Sequence, residues 1–469
     1  MGDSPTDCPP KVAERVARPR VDASCLKAVT PFCQPLCYNC VERHRILRLA
    51  HLMAKEPNFA TGKLMGAQAR RARTTGPRTT GLDGLGYEAA VQLSLLEPPG
   101  TATESPAYYQ QQVITYIGNK RQLLTPISDA LKSVRAESGR DSLHLFDGFA
   151  GSGIVSRLFK AYAERVVSND LEPYARVVAN CFLANRSDVE LETMGGIVEK
   201  ANRLADEATL AYPGFIERMY APEDDSNIRL GERVFYTREN ARRLDWFRQF
   251  IGQQQPSLHD LLLGPLLSSA SVHANTAGVF KGFYKDKHTG IGKFGGSGAD
   301  ALTRIKGQIR LQTPVLSRFE TEVEVYQQDV NKLISDIGGF DLAYFDPPYN
   351  QHPYGSNYFM LNLLVDYSEP KDVSAVSGIP TGWNRSHYNK KRHAFDQLSD
   401  AVSRVDARYV LLSFNDDGFV GMDQLRRFLA MIGHVEERKL RYNTFRGSRN
   451  LRSRNIHVNE HLFLVRKRA

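Results

Sequence analysis

Apolar and polar positions along this 469-residue chain change rhythm twice. From about Tyr108 short apolar runs alternate with amphipathic stretches. Asn119 to Val134 carries Leu123, Leu124, Ile127 and Leu131 at helical spacing, which predicts a helix. Leu143 to Phe146 reads as a short strand running into Asp147-Gly148-Phe149-Ala150-Gly151-Ser152-Gly153, and the next helix places Ile154, Val155, Leu158 and Phe159 on one face. Arg165 to Ser168 predicts a second strand, ended by Asn169-Asp170, and Glu172 to Asn185 a helix. Further strands are predicted at Glu322–Tyr326, Asp341–Phe345 and Tyr409–Phe414. A helix follows over Met422–Ile432, with two last strands near Val435–Tyr442 and Val458–Val465. Strands alternating with helices predict an α/β, doubly wound, Rossmann-like sheet.

The alternation breaks between Asn185 and about Thr321. A crossover needs only a dozen or so residues, so this segment predicts an inserted, mainly helical region, 186–320. It contains a Gly/Lys/aromatic stretch from Gly278 to Gly296 with Lys281, Lys285 and Lys293, a composition suited to close approach to a polyanion. Residues 1–105 are different again: proline patches, Arg70-Arg71-Ala72-Arg73 and the low-complexity TTGPRTTG predict a poorly ordered extension. The α/β domain is then expected over 106–185 and 321–469.

Charge sharpens this division. The formal net charge is +9, and Arg438 to Arg454 holds seven Lys/Arg with no Asp/Glu, interleaved with Tyr442 and Phe445. Cations beside aromatics suit phosphate contact and base stacking, and a solvated face is the plainer alternative. No run of about 18 apolar residues is present and no secretory leader is visible, so a cytoplasmic protein without a membrane span is expected. Five of the six cysteines precede position 41, and Cys33, Cys37, Cys40 and His44 have metal-ligand spacing. No second Cys-x2-Cys completes the set, so no metal is assigned and a reduced, cysteine-bearing tail is expected.

Candidate chemistry concentrates at strand ends. Phe149, Gly151 and Gly153 lie in a glycine-rich turn between strand and helix, where the backbone can approach a ligand. Asp170 at the next strand end suits ribose hydroxyls, with a helix cap as the alternative. The turn lacks a full dinucleotide fingerprint, which favours a nucleoside cofactor without a pyrophosphate; S-adenosyl-L-methionine fits. Tyr116-Ile117-Gly118-Asn119-Lys120 brings an aromatic and a cation to one side of a glycine bend, able to hold a cofactor carboxylate. Asp346-Pro347-Pro348-Tyr349 closes the apolar run Asp341–Phe345 with an acid, a stiff backbone and a ring. It suits an exocyclic amine on a flat heterocycle, accepted by Asp346 and the Pro347 carbonyl and stacked on Tyr349.

In this order, with a long insert between the two halves, the segments resemble the adenine-specific N6 DNA methyltransferases of the Dam-like (D12) class, over roughly Tyr108 to Lys467. The resemblance implies a methyltransferase sheet. It also implies methyl transfer from S-adenosyl-L-methionine to N6 of a flipped adenine in double-stranded DNA. Asp346, Pro347, Pro348 and Tyr349 would be catalytic. Tyr116, Lys120, Phe149, Gly151, Gly153, Asp170, Asp329 and Asp346 would hold the cofactor. The insert 186–320 would recognise the target, with Lys281, Lys285, Lys293, Asn415, Arg446 and Arg449 on DNA. A cognate restriction endonuclease is a possible partner. An RNA adenine methyltransferase and an inactive DNA-binding relative remain open at this point.

Overall fold

Seven strands form one sheet in the order β3-β2-β1-β4-β5-β7-β6. They are β1 (Leu143–Asp147), β2 (Ala163–Asp170), β3 (Glu322–Gln327), β4 (Phe340–Phe345), β5 (Ala407–Asn415), β6 (Gly433–Asn443) and β7 (His457–Lys467). The first five run parallel, and β7 lies antiparallel between β5 and β6. The structure is a computed structural model and describes residues 96–98, 103–111, 113–207, 214–296, 300–443 and 457–468. The extension expected over 1–105, with Cys33, Cys37, Cys40 and His44, lies almost wholly outside the described residues, as do Arg446 and Arg449. Among the described residues no helix is long and apolar enough to cross a membrane.

The central strands are apolar on both faces because both are covered, as parallel sheets require. Leu145, Val166, Leu342, Tyr344 and Leu411 point to one side. They meet helices α1 (Leu124–Ser138) and α2 (Ile154–Phe159) through Ile127, Leu131, Leu158 and Phe159. Phe146, Val167, Ala343, Phe345, Val410 and Leu412 point to the other, under the C-terminal helices Ala394–Arg404 and Met422–Ile432. The helix over Met422–Ile432 has the bounds expected from its pattern. Helix α1 differs: a 3-10 turn, Lys120–Leu123, precedes it, and it runs on to Ser138 until Gly139 caps it in the left-handed region.

Helix α3 (Pro173–Phe182) carries the chain from β2 into the segment 186–320. That segment is mainly helical, with α4 (Leu191–Glu207), α5 (Phe215–Tyr220), α6 (Arg238–Gly252), α7 (Pro256–Val272) and α8 (Asp300–Lys306). Among the described residues it has no core separate from the sheet domain. Leu262, Leu263, Leu266 and Leu267 of α7 share one apolar cluster with Val177, Val178, Cys181 and Phe182 of α3, and with Tyr358–Leu361 beyond β4. A Cβ on Gly264 of α7 would lie 2.6 Å from Cys181 Cβ, so the two helices pack as closely as glycine permits. The insert is thereby fixed against the strand ends that carry the candidate residues.

Candidate active site

The C-terminal ends of β1, β2 and β4 meet at one cleft, the place where open α/β sheets bind ligands. Tyr116, Phe149, Asp170, Glu172, Asp329, Asp346, Pro348, Tyr354 and Tyr388 line it. A smaller cavity adjoins it through Tyr116, Phe149 and Asp346, and is lined also by Gly118, Lys120 and Gly151.

The glycine turn is shaped for close approach. Gly151 has φ +52° and Gly153 φ +72°, and a Cβ on Gly151 would lie 2.8–2.9 Å from the Tyr116 ring. Tyr116 stacks at 5.0 Å on Tyr358 and at 5.1 Å on Tyr354, so this wall is a rigid aromatic ladder. Asp170 accepts from the Gly151 N–H (2.8 Å) and the Glu172 N–H (2.9 Å). It therefore pins the turn and the Glu172 backbone just before α3, while a carboxylate keeps further acceptor positions. Burial holds its carboxyl above the usual range against those N–H donors.

At the other end of the cleft Lys120 gathers three acceptors. Its Nζ lies 3.0 Å from the Gly118 carbonyl, 2.9 Å from Asp346 Oδ2 and 3.3 Å from Glu460 Oε1. This ammonium, expected to meet a cofactor carboxylate, joins the strand-end acid Asp346 to an acid on β7. The Asp346 side chain is 18% exposed against 6% for Lys120 and 5% for Glu460, so Asp346 is the member that faces the cleft. Its carboxyl is pushed up to about 6: burial raises it, the Lys120 ammonium opposes, and Glu460 adds to the rise. Glu460 is held by Ser413 Oγ at 2.8 Å and faces Asn415 across β5 and β7.

Two residues carry a further role in the fold. Asn415 is buried at the end of β5: its Nδ2 lies 3.5 Å from Glu460 Oε2, and its Oδ1 accepts from the Asp417 N–H at 2.7 Å. Asp329 lines the cleft but also caps the short helix Val330–Leu333, accepting from the Asn331 N–H at 3.0 Å. Pro347 is buried, while Pro348 and Tyr349 are half-buried; the Tyr349 ring stands edge-on to Phe414 at 6.5 Å. Of the insert lysines, Lys281 is exposed and close enough to His352 for its charge to lower that imidazole, after burial. Lys285 covers Phe283 at 4.8 Å, and exposed Lys293 stands on the same small hairpin, bridged at Lys285 and Gly292.

Sequence reasoning missed Glu460, Glu172 and Tyr388. Glu460 shares a strand face with apolar Leu462, so an acid at an inward position was the available signal. Glu172 accepts from Asn362 Nδ2 at 2.7 Å, and burial pushes its carboxyl up to about 7. Tyr388 meets the Phe149 ring edge-on at 5.1 Å, and the two form an aromatic corner of the cleft wall.

A sheet in this order, with an antiparallel seventh strand and a glycine turn opposite an Asp-Pro-Pro-Tyr strand end, defines a Rossmann-like methyltransferase. The sequence model of the D12 class N6 adenine-specific DNA methyltransferases matches residues 116–376. The chain belongs to that family and methylates N6 of adenine in DNA. It is 27% identical over 365 residues to the type II methyltransferase M.NlaIII of Neisseria lactamica, spanning 76% of this chain and 99% of that protein. It is 28% identical over 359 residues to M.CviAII of Paramecium bursaria Chlorella virus 1, spanning 75% and 98%. With M.FokI of Planomicrobium okeanokoites identity is 25% over 367 residues, 75% of this chain and 52% of that protein. These likenesses support DNA over RNA as substrate and an active enzyme over an inactive relative.

Proposed function

We propose that the cleft binds S-adenosyl-L-methionine and that Asp346-Pro347-Pro348-Tyr349 receives an adenine flipped from double-stranded DNA. The observation that carries this is the position of Asp346, which belongs at once to the cleft lined by Tyr116, Phe149 and Asp170 and to the strand-end turn. The residues present fit the cofactor. The aromatic wall of Phe149 and Tyr388 suits a purine, Asp170 a ribose, and Gly151 leaves the space that a Cβ would fill beside Tyr116. Asp329 lines the same cleft and contributes an acceptor toward the purine edge. When bound, the cofactor supplies an electrophilic methyl group.

The amine nitrogen of adenine is a weak nucleophile because its lone pair is delocalised into the ring. Asp346 and the Pro347 carbonyl accept its hydrogens, localise the lone pair and stabilise the positive charge that grows there. Tyr349 stacks on the extruded base. Lys120 holds Asp346 in place, and orientation supplies much of the remaining rate. The 186–320 segment serves as the target-recognition region, with Lys281, Lys285 and Lys293 facing DNA.

The type II names of the relatives support a restriction-modification setting, with a cognate endonuclease cutting the same site in the cytoplasm. Sequencing of modified bases in DNA from cells expressing the chain tests this reading. One short motif methylated on adenine throughout supports it; adenine methylation absent, or scattered without a motif, counts against it.

A further inference from the structure

The loop between the helix Phe359–Asp366 and the helix Ala394–Arg404 holds a cluster of charge that the reaction above does not use. Arg385, Lys390, Lys391 and Arg392 are exposed, as are His387 and His393, whose rings lie 5.6 Å apart. Arg385 covers the Trp383 ring at 4.1 Å. Among the described residues the adjoining helix has a salt bridge between Arg404 and Asp400, and Arg385, Lys390, Lys391 and Arg392 enter none.

Stability does not account for this placement. Lys390 to Arg392 precede the N-terminus of an 11-residue helix, the end whose backbone dipole disfavours cations. The same loop is tied to the active site. Asn389 Nδ2 donates to the Asn350 carbonyl at 2.7 Å and lies 3.4 Å from that of His352, in the residues that follow Tyr349. Asn384 donates to the Leu171 carbonyl at 3.2 Å, and Tyr388 to Asn331 Oδ1 at 2.8 Å. Asn384, Ser386, Tyr388 and Asn389 line the cleft. The cations therefore stand beside the turn that the extruded base must pass, and a base entering there brings its own backbone phosphates to the rim.

We propose that the loop 383–393 is a phosphate clamp for duplex DNA, with Lys390, Lys391 and Arg392 gripping the backbone beside the flipped nucleotide and Asn389 fixing the clamp to the segment after Tyr349. The clamp is indifferent to sequence, because phosphate contacts set register and affinity while base edges set specificity. It rests on the reading of Asp346–Tyr349 as the base-receiving turn.

The full-length chain with Lys390→Gln, Lys391→Gln and Arg392→Gln together tests it. Binding to a fluorescent duplex is titrated at several potassium chloride concentrations. The expected result is weaker binding by at least about tenfold at low salt and a salt slope shallower by up to about 3, about 0.9 for each lost contact. The change should be equal for duplexes with and without the target site, and adenosyl-methionine affinity should not move. Methyl transfer at saturating DNA is measured on the same samples and should persist, which separates failure of the clamp from failure of the catalytic reading. A second variant, Lys390→Arg with Lys391→Arg, keeps the charge and should keep the slope. An unchanged slope in the Gln variant overturns the proposal, and so does an equal loss of DNA binding in the charge-retaining variant.

Discussion

The Lys120 ammonium lies 2.9 Å from the Asp346 carboxylate, with Glu460 at 3.3 Å from the same nitrogen. Two acids thus share one cation at the end of the cofactor cleft, and Asp346 is the acid with access to it. The pair links the turn before α1 to the end of β4 and makes the charge state of Asp346 a property of three elements.

Replacing Asp346 with Ala removes the acceptor for the target amine and leaves Lys120 facing Glu460 alone. The expected loss in kcat is at least about 10²-fold, the usual cost of a preorganised electrostatic contact. DNA affinity by anisotropy should stay near that of the unaltered chain; a turnover near normal would remove Asp346 from the chemistry.

Activity should fall on the acid side as Asp346 gains a proton, with a midpoint near its raised value of about 6. The groups facing it are Lys120, Glu460, Asp147, Tyr344 and Tyr354. Lys120 stabilises the ionised form, so Lys120→Met should move the acid limb to higher pH. Glu460 disfavours it, so Glu460→Gln should move the limb lower. A pH–rate profile of kcat/KM with both variants checks the signs.

Gly151→Ala places a Cβ 2.8–2.9 Å from a ring that packs against two others, at a φ that L residues rarely adopt. Cofactor affinity by calorimetry should drop at least about tenfold, roughly 1.4 kcal/mol, with DNA binding little changed. An unaltered affinity would mean that the cofactor does not depend on this turn.

Tyr349→Ala removes the stacking surface for the extruded base. Apparent affinity for a duplex carrying the target should weaken by about 1–3 kcal/mol, with little effect on a duplex lacking it. A 2-aminopurine probe at the target position should lose its base-extrusion signal in the variant.

Much of the sheet was legible because strands buried on both faces read as apolar runs, as in Phe340–Phe345, and because acids and glycines mark their ends. The buried surroundings of Asn415 were not legible, for a reason of register. The antiparallel insertion of β7 between β5 and β6 sets Asn415 opposite Glu460, a pairing fixed by long-range topology that no local pattern encodes. The same insertion brings Glu460 to Lys120. Loop 383–393 escaped notice because it has no periodicity; its tethers are side chain to backbone bonds, such as Asn389 to Asn350. The insert was visible as broken rhythm, yet the core it shares with α3 depends on Gly264 meeting Cys181.

The most direct test incubates the full chain with methyl-labelled adenosyl-methionine and duplex DNA, then separates the nucleosides after digestion. Label should appear in N6-methyldeoxyadenosine, and Asp346→Ala should leave none. Label in a modified cytosine, transfer to RNA alone, or undiminished N6 methylation by the Asp346 variant would contradict the account.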